Sequence, residues 1–433
     1  MATLSISTFL SIESAVLELK RLTVFIGPQA QGKSVVLKLA YFFERVLEKA
    51  LIDLVTAEIT PSAFAKDALD QFQSYFPKYA WGTSAFHVSY REGDFEITIS
   101  RDGGRTNNPA RIVLGENLLA ATREANKRFR AELEERPVQR RASASSRRRA
   151  LDEAIAQDAS LRALRVEPTF IPASRSFFAN IERNIFALMS SKFELDLLMA
   201  EFGTLLESTR RDMLMYSNIK APASARRKRL LRKSEWAPII GGDYVFDGDQ
   251  ETIEHERRIV RIANSSSGQQ EVIPLLLVLD HFSSEDGFIF GPSRRHQAAS
   301  FFVEEPEAHL FPQAQKAVAS LLTSAMNRNP VNRVMFTTHS PYMLTAINNL
   351  HLAGKLHREL DGTKRKQLSR IATEEQSIAP DELAAFKVDK GRVTSIVDRD
   401  TGLVNGMLID EVSIEFAQDF DKLLALDPST SGE

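Results

Sequence analysis

Residues 22–26, LTVFI, are apolar at every position and read as the clearest buried strand in an N-terminal stretch, LSISTFLSIESAVLELKRLTVFIG, built of short β-like runs. From Ser34 the apolar spacing changes to that of a helix, in SVVLKLAYFFERVLEKALIDLV, so the order is strand, glycine-bearing loop, helix. SAFHVSYREGDFEITISRDGGR (84–105) reads as an antiparallel pair with turns at EGD and DGG. From Glu116 to about Ala163, Ala, Glu and Arg dominate and RPVQRRASASSRRR (136–149) interrupts two helical stretches, which predicts a helical excursion with a flexible tip. A second basic cluster, ASARRKRLLRK (223–233), precedes strand-like sequence around DYVFDGDQETIEH. The last third alternates apolar strands (301–303, 333–337) with amphipathic helices (312–327, 340–349), the grammar of an α/β fold. RVTSIVDRDTGLVNGMLID predicts a hairpin turning at Asp-Thr-Gly, followed by a closing helix, EVSIEFAQDFDKLLAL.

Composition narrows the class. A chain of 433 residues with 43% hydrophobic and 26% charged residues builds one large or two ordinary globular domains. The formal net charge of -2 recruits neither nucleic acid nor an anionic membrane, so such a partner depends on local patches. The absence of cysteine excludes disulfides, thiol nucleophiles and Cys-ligated zinc, and is compatible with a reducing compartment. No secretory pattern opens the chain, and the longest apolar run, VIPLLLVL (272–279), is too short to span a bilayer; the expectation is a cytoplasmic protein with no membrane contact. The expected division is a lobe at 1–115, a helical insertion with basic segments at 116–235, and a second lobe at 236–433.

Residues 27–34, GPQAQGKS, match G-x-x-x-x-G-K-[ST] directly after a strand and at the start of a helix. In such a loop Gly27 and Gly32 let the chain wrap so that the amides of Pro28-Gln29-Ala30-Gln31 and the helix start face phosphate oxygens, Pro28 itself lacking an N–H. Lys33 reaches the β- and γ-phosphates and the Ser34 hydroxyl ligates Mg²⁺. At 264–271, NSSSGQQE precedes the apolar helix pattern VIPLLLVLDHF; small residues and glycine at a helix start make either an anion site or a serine N-cap.

FFVEEPEAHLFPQ (301–313) concentrates Glu304, Glu305, Glu307 and His309 behind an apolar run. Adjacent carboxylates on a strand point to opposite faces, which weakens a glycosidase pair, and Pro306 interrupts any regular element that would aim a metal cage. His339 ends another apolar strand, in VMFTTHSPYML, where α/β sheets collect ligand-binding groups.

The four motifs, in this order, resemble those of ABC-type ATPases: phosphate loop, signature (Ser265, Ser266, Ser267, Gly268, Gln269), Walker B with D-loop, and switch histidine. The segments ISTFLSIESAVLELKRLTVFIGPQAQGKS, NSSSGQQEVIPLLLVL, FVEEPEAHLFP and FTTHSPYML look like the SMC-like, OLD-like branch of AAA ATPases, which includes overcoming-lysogenization-defect nucleases and ATPase subunits of bacterial antiphage systems. The resemblance implies an ABC-type head of the P-loop NTPase class, with a mixed β N-terminal lobe and a helical insertion. It implies ATP with Mg²⁺ sandwiched in a homodimer or higher homo-oligomer, the signature of one chain facing the phosphate loop of another. Glu304 takes the place of the magnesium-associated aspartate, Glu305 that of the catalytic glutamate and His339 that of the switch histidine.

Two departures stand out. Glutamate replaces the usual aspartate at 304, and no Q-loop glutamine is evident in FIPASRSFFANI (170–181), where Ser174 or Arg175 occupies the candidate position. Both suit a slow, ATP-gated scaffold as well as a turning-over ATPase. No N-K-x-D motif reads guanine, and the thirty or so residues after the Asp398-x-Asp400 pair are too few for a TOPRIM nuclease domain, so the expected effector, such as a nuclease, is a separate protein. The basic runs RRASASSRRR and RRKRLLRK are candidate nucleic-acid contacts, although no aromatic residue interleaves to stack bases.

Overall fold

The computed structural model describes residues 2–103, 109–135, 143–179, 195–220, 231–283, 298–405 and 418–423. The first third carries β1 (Ala2–Phe9), β2 (Ile12–Leu19), β3 (Leu22–Ile26), α1 (Lys33–Val55), α2 (Pro61–Tyr75), and the meander β4 (Phe86–Glu92), β5 (Phe95–Arg101), β6 (Arg111–Leu114). Next come α3 (Glu116–Glu134), α4 (Ala144–Ala156), β7 (Val166–Ile171), α5 (Leu197–Lys220), and the short strands β8 (Leu231–Lys233), β9 (Asp243–Phe246), β10 (Glu251–His255) and β11 (Arg258–Arg261). The last third carries α6 (Ser267–Ser283), β12 (Ala298–Glu304), α7 (Pro312–Asn327), β13 (Arg333–Thr338), α8 (Pro341–Glu359), β14 (Leu383–Asp389) and β15 (Arg392–Ser395).

Eleven strands form one mixed sheet in the order β6-β5-β4-β1-β2-β15-β14-β3-β13-β12-β7. β14, β3, β13, β12 and β7 run parallel, whereas β6 through β2 form an antiparallel meander. β8 to β11 make a separate antiparallel sheet of four.

Sequence pattern explains the division. In β3, Leu22, Val24 and Ile26 enter one core and Phe25 the other; in β12, Phe301 and Val303 enter one and Phe302 the other. A parallel sheet buried on both faces requires such uninterrupted apolar runs. One face is covered by α1, α2, α3 and α4, and the other by α6, α7 and α8. β4 and β5 instead alternate buried with more exposed residues, as a sheet with one covered face demands. Val272, Ile273 and the residues 275–279 of α6 are all buried, so over this span, which includes Pro274, the helix is apolar all round and lies inside the protein.

In the stretch after Glu116, α3 and α4 pack on each other, and the expected tip between them, 136–142, lies outside the described residues. α3 packs Leu118, Ala125 and Phe129 into the core that holds α1, and β7, from the same third of the chain, is a strand of the main sheet. α8 runs ten residues past 349 because Leu350 and Ala353 continue its buried face. The hairpin at Asp-Thr-Gly forms: Gly402 N–H donates to Asp398 O (2.9 Å), and Val397 bridges Val404. Of the closing helix, residues 418–423 are helical and the rest lies outside the described residues, as do 140–142 and 226–230 of the basic runs. Within those runs Arg147 pairs with Glu58, and Arg232 with Asp243 and Glu254. No described helix is long and apolar enough to cross a membrane.

Candidate active site

β3, β13 and β12 are neighbours and parallel, with Ile26 opposite Thr338 and Thr337 opposite Glu304. Their carboxyl ends therefore deliver Gly27, His339 and Glu305 to one edge of the sheet. β14 flanks β3 on the other side, and the carboxyl end of a parallel sheet is where open α/β sheets bind ligands.

The loop 27–34 is shaped by close approaches. A Cβ on Gly27 (φ 153°) would lie 2.1 Å from Val388 O, and one on Gly32 (φ 102°) would lie 2.4 Å from Ser11 Oγ, so only glycine fits at either place. Gln31 Oε1 accepts the Lys390 N–H (2.8 Å), tying the loop to the turn after β14, while Pro28, Gln29, Ala30 and Ser34 are exposed. α1 starts at Lys33 with no side-chain cap and no acid in its first turn, and the Val36 N–H makes a bond to Gly32 O (3.1 Å). The helix's first amides precede that bond and have no acceptor within the helix, leaving a positive end open to an anion. Lys33 Nζ, nearly buried, donates to Gly27 O (2.9 Å) and Pro28 O (2.7 Å). Burial lowers the Lys33 pKa, against the raising influence of the Glu305 and Glu307 carboxylates. Glycine-shaped loop, bare helix end and desolvated ammonium together fit a polyphosphate.

Glu304 ends β12 with its side chain buried, Oε2 accepting the Ala173 N–H (3.2 Å). Glu305 lies beyond the strand in left-handed backbone (φ 42°), so the two carboxylates part through this turn and not through strand alternation alone. Glu305 Oε1 stands 3.2 Å from His339 Nε2, both groups partly exposed. Glu307, given only a place in the D-loop by the sequence, is buried; its Oε1 accepts the Thr338 hydroxyl (2.7 Å) and the His339 N–H (2.8 Å).

Arg175, one of the two residues at the candidate Q-loop position, turns inward and is completely buried. Its Nη1 donates to Pro172 O (2.8 Å) and Glu304 O (2.7 Å), its Nη2 to Glu305 O (3.0 Å) and its Nε to Glu271 O (2.9 Å). Glu271, in the second turn of α6, accepts the Arg175 N–H at Oε2 (2.9 Å) and the Ser176 hydroxyl at Oε1 (2.7 Å). The signal available in sequence was an arginine four residues past an apolar strand end, and a glutamate directly before the apolar run of a helix.

Ser265–Gln269 forms a capping box. Ser266 Oγ accepts the Gln269 N–H (3.4 Å), Gln269 Oε1 accepts the Ser266 N–H (3.0 Å), and Gln269 Nε2 donates to Ile240 O (2.6 Å). A Cβ on Gly268 would lie 2.5 Å from His309 O, so the loop packs on the D-loop of its own chain, and none of its described hydrogen bonds reaches 27–34. The structure thus gathers Gly27–Ser34, Glu304, Glu305 and His339 at one edge and leaves 265–269 on the D-loop side. Among the described residues no group of three His or carboxylate side chains could hold a metal alone. Magnesium commonly takes one or two protein ligands and completes its shell with water and phosphate, and the Ser34 hydroxyl and Glu304 carboxylate fit that donor set.

A family profile described as AAA ATPase domain matches residues 66–344, more than half of the chain; the match contains 265–269, Glu304, Glu305 and His339 and begins downstream of Gly27–Ser34. A solved structure described as the recombination mediator protein RecF-ATPrS in the RecFOR pathway aligns over 91% of this chain and 97% of that one, at 12% identity and a TM-score of 0.29, a likeness that supports no inference. No curated protein matches the chain.

Proposed function

The chain belongs to the AAA ATPase domain family and has a mixed α/β P-loop NTPase fold, and from that premise we propose that it binds and hydrolyses ATP at the sheet edge where β3, β12 and β13 end. The observation that carries the reading is the Glu305–His339 contact of 3.2 Å beside Lys33. The loop amides and Lys33 hold the polyphosphate. Ser34 and Glu304 hold Mg²⁺, which supplies neutralisation of phosphate charge. Glu305 and His339 orient the attacking water, and His339 donates to the transferring phosphoryl group.

Ser265–Gln269 cannot complete this site within one chain if its partner is the D-loop, so in our reading a second copy supplies it. The expected assembly is a homodimer that closes two composite sites on ATP. The finer role is regulation of a separate effector, with antiphage defence suggested by the family resemblance. A slower, ATP-gated scaffold is the second reading, favoured by Arg175, a candidate for the Q-loop position, being engaged by the carbonyls of Glu304 and Glu305.

Phosphate release measured from nanomolar to micromolar protein tests the composite site. Specific activity should rise with concentration and then level off; a constant specific activity throughout contradicts the dimer. Phage plating on cells with and without the gene tests the defence role, an equal plaque count counting against it.

A further inference from the structure

Glu305 carries the chemistry proposed above from a backbone conformation that non-glycine residues seldom adopt (φ 42°) and that persists only when its surroundings hold it. Its N–H donates to Thr337 O (3.1 Å), and its carbonyl accepts from Arg175 Nη2 (3.0 Å). The same guanidinium holds Glu304 O, and the same residue is bound through backbone and Nε to Glu271 on α6, the helix that the signature loop begins. Glu271 is five residues from Ser266, in the second turn of a helix whose following residues, 272–279, are all buried. A small movement of α6 therefore reaches Glu305 through only two side chains.

We propose that Arg175 and Glu271 form a positioning relay that sets the direction of the Glu305 carboxylate according to the seating of α6, so that occupation of the signature loop by the second copy's nucleotide aligns the base. The proposal rests on the ATPase reading. It also gives Arg175 a function: the residue acts on the hydrolytic glutamate through the glutamate's backbone and leaves the nucleotide to other groups.

The test uses the full chain with Mg-ATP. Arg175→Lys keeps the charge but loses the planar fork, and Glu271→Gln keeps the shape but only one of the two oxygens, of which Oε2 accepts the Arg175 N–H and Oε1 the Ser176 N–H. ATP affinity, from fluorescent-nucleotide titration, should stay within about threefold of wild type while kcat falls about 100-fold, as expected for a misplaced catalytic group. A merely structural role moves melting temperature and both constants together. Glu271→Gln provides the measurement if Arg175→Lys does not fold. A folded variant with wild-type kcat overturns the relay, as does a parallel loss of ATP affinity. Glu305→Gln run alongside separates the claims: if it too keeps full turnover, the catalytic assignment of Glu305 fails; if it alone is inactive, only the relay fails.

Discussion

The buried carboxylate of Glu307 holds the backbone N–H of His339 at 2.8 Å, fixing the turn that presents the imidazole to Glu305. Its other oxygen, Oε2, is buried with no hydrogen-bond partner among the described residues. Glu307→Ala should therefore lower kcat by about 10- to 100-fold with little change in ATP affinity. Glu307→Gln, which keeps an acceptor, should retain more activity than alanine; equal, undiminished rates in both would mean that His339 needs no such support.

Lys33 is costly to the fold as well as useful to the ligand, because its ammonium is desolvated and its pKa lowered by burial. Lys33→Met should abolish ATP-induced thermal stabilisation without lowering the melting temperature of the nucleotide-free protein. A variant that melts several degrees lower and still responds to ATP would contradict both halves of this account.

Burial, reinforced by Glu167, pushes the Glu48 carboxyl up to about 7 from 4.5. A raised carboxyl favours the protonated fold, so its contribution to stability is full below about pH 4.5 and is lost as pH rises through about 7. Glu48→Gln remains neutral throughout. Its melting temperature should exceed that of wild type at pH 8.5, and the gap should shrink towards pH 5; a gap independent of pH would remove Glu48 as the cause.

Arg333 on β13 pairs with Glu44 of α1 and Glu92 of β4, and Tyr90 Oη lies 3.2 Å and 3.1 Å from the two carboxylates. Arg333→Met leaves two buried carboxyl groups without their cation, at a cost of about 3–5 kcal/mol. Urea unfolding should show that loss, and Glu44→Gln with Glu92→Gln in the same chain should recover part of it.

The phosphate loop was legible because its glycines, lysine and serine are contiguous and stand between a strand and a helix that periodicity alone reveals. Glu304, Glu305 and His339 were legible for a related reason: each closes an apolar run, and parallel strands bring such ends together. Glu307 and Arg175 were not. Their partners lie 31 and 129 residues away in sequence, and a carboxylate bound to a distant amide leaves no local pattern. The seating of the segment after Glu116 was legible only in part: α3 packs on its neighbour in the chain, α4, as two successive helical stretches suggest, but also on α1 and β5, a pairing that leaves no local pattern. For 265–269, sequence left anion site and N-cap open; the capping box is present, and any anion must share the loop with it.

The most direct test of the central claim is single-turnover hydrolysis by Glu305→Gln with ATP and Mg²⁺ at saturating protein. The account predicts ATP binding within about threefold of wild type and a chemical step slowed by about 100-fold or more. Hydrolysis at the wild-type rate in that variant would contradict it.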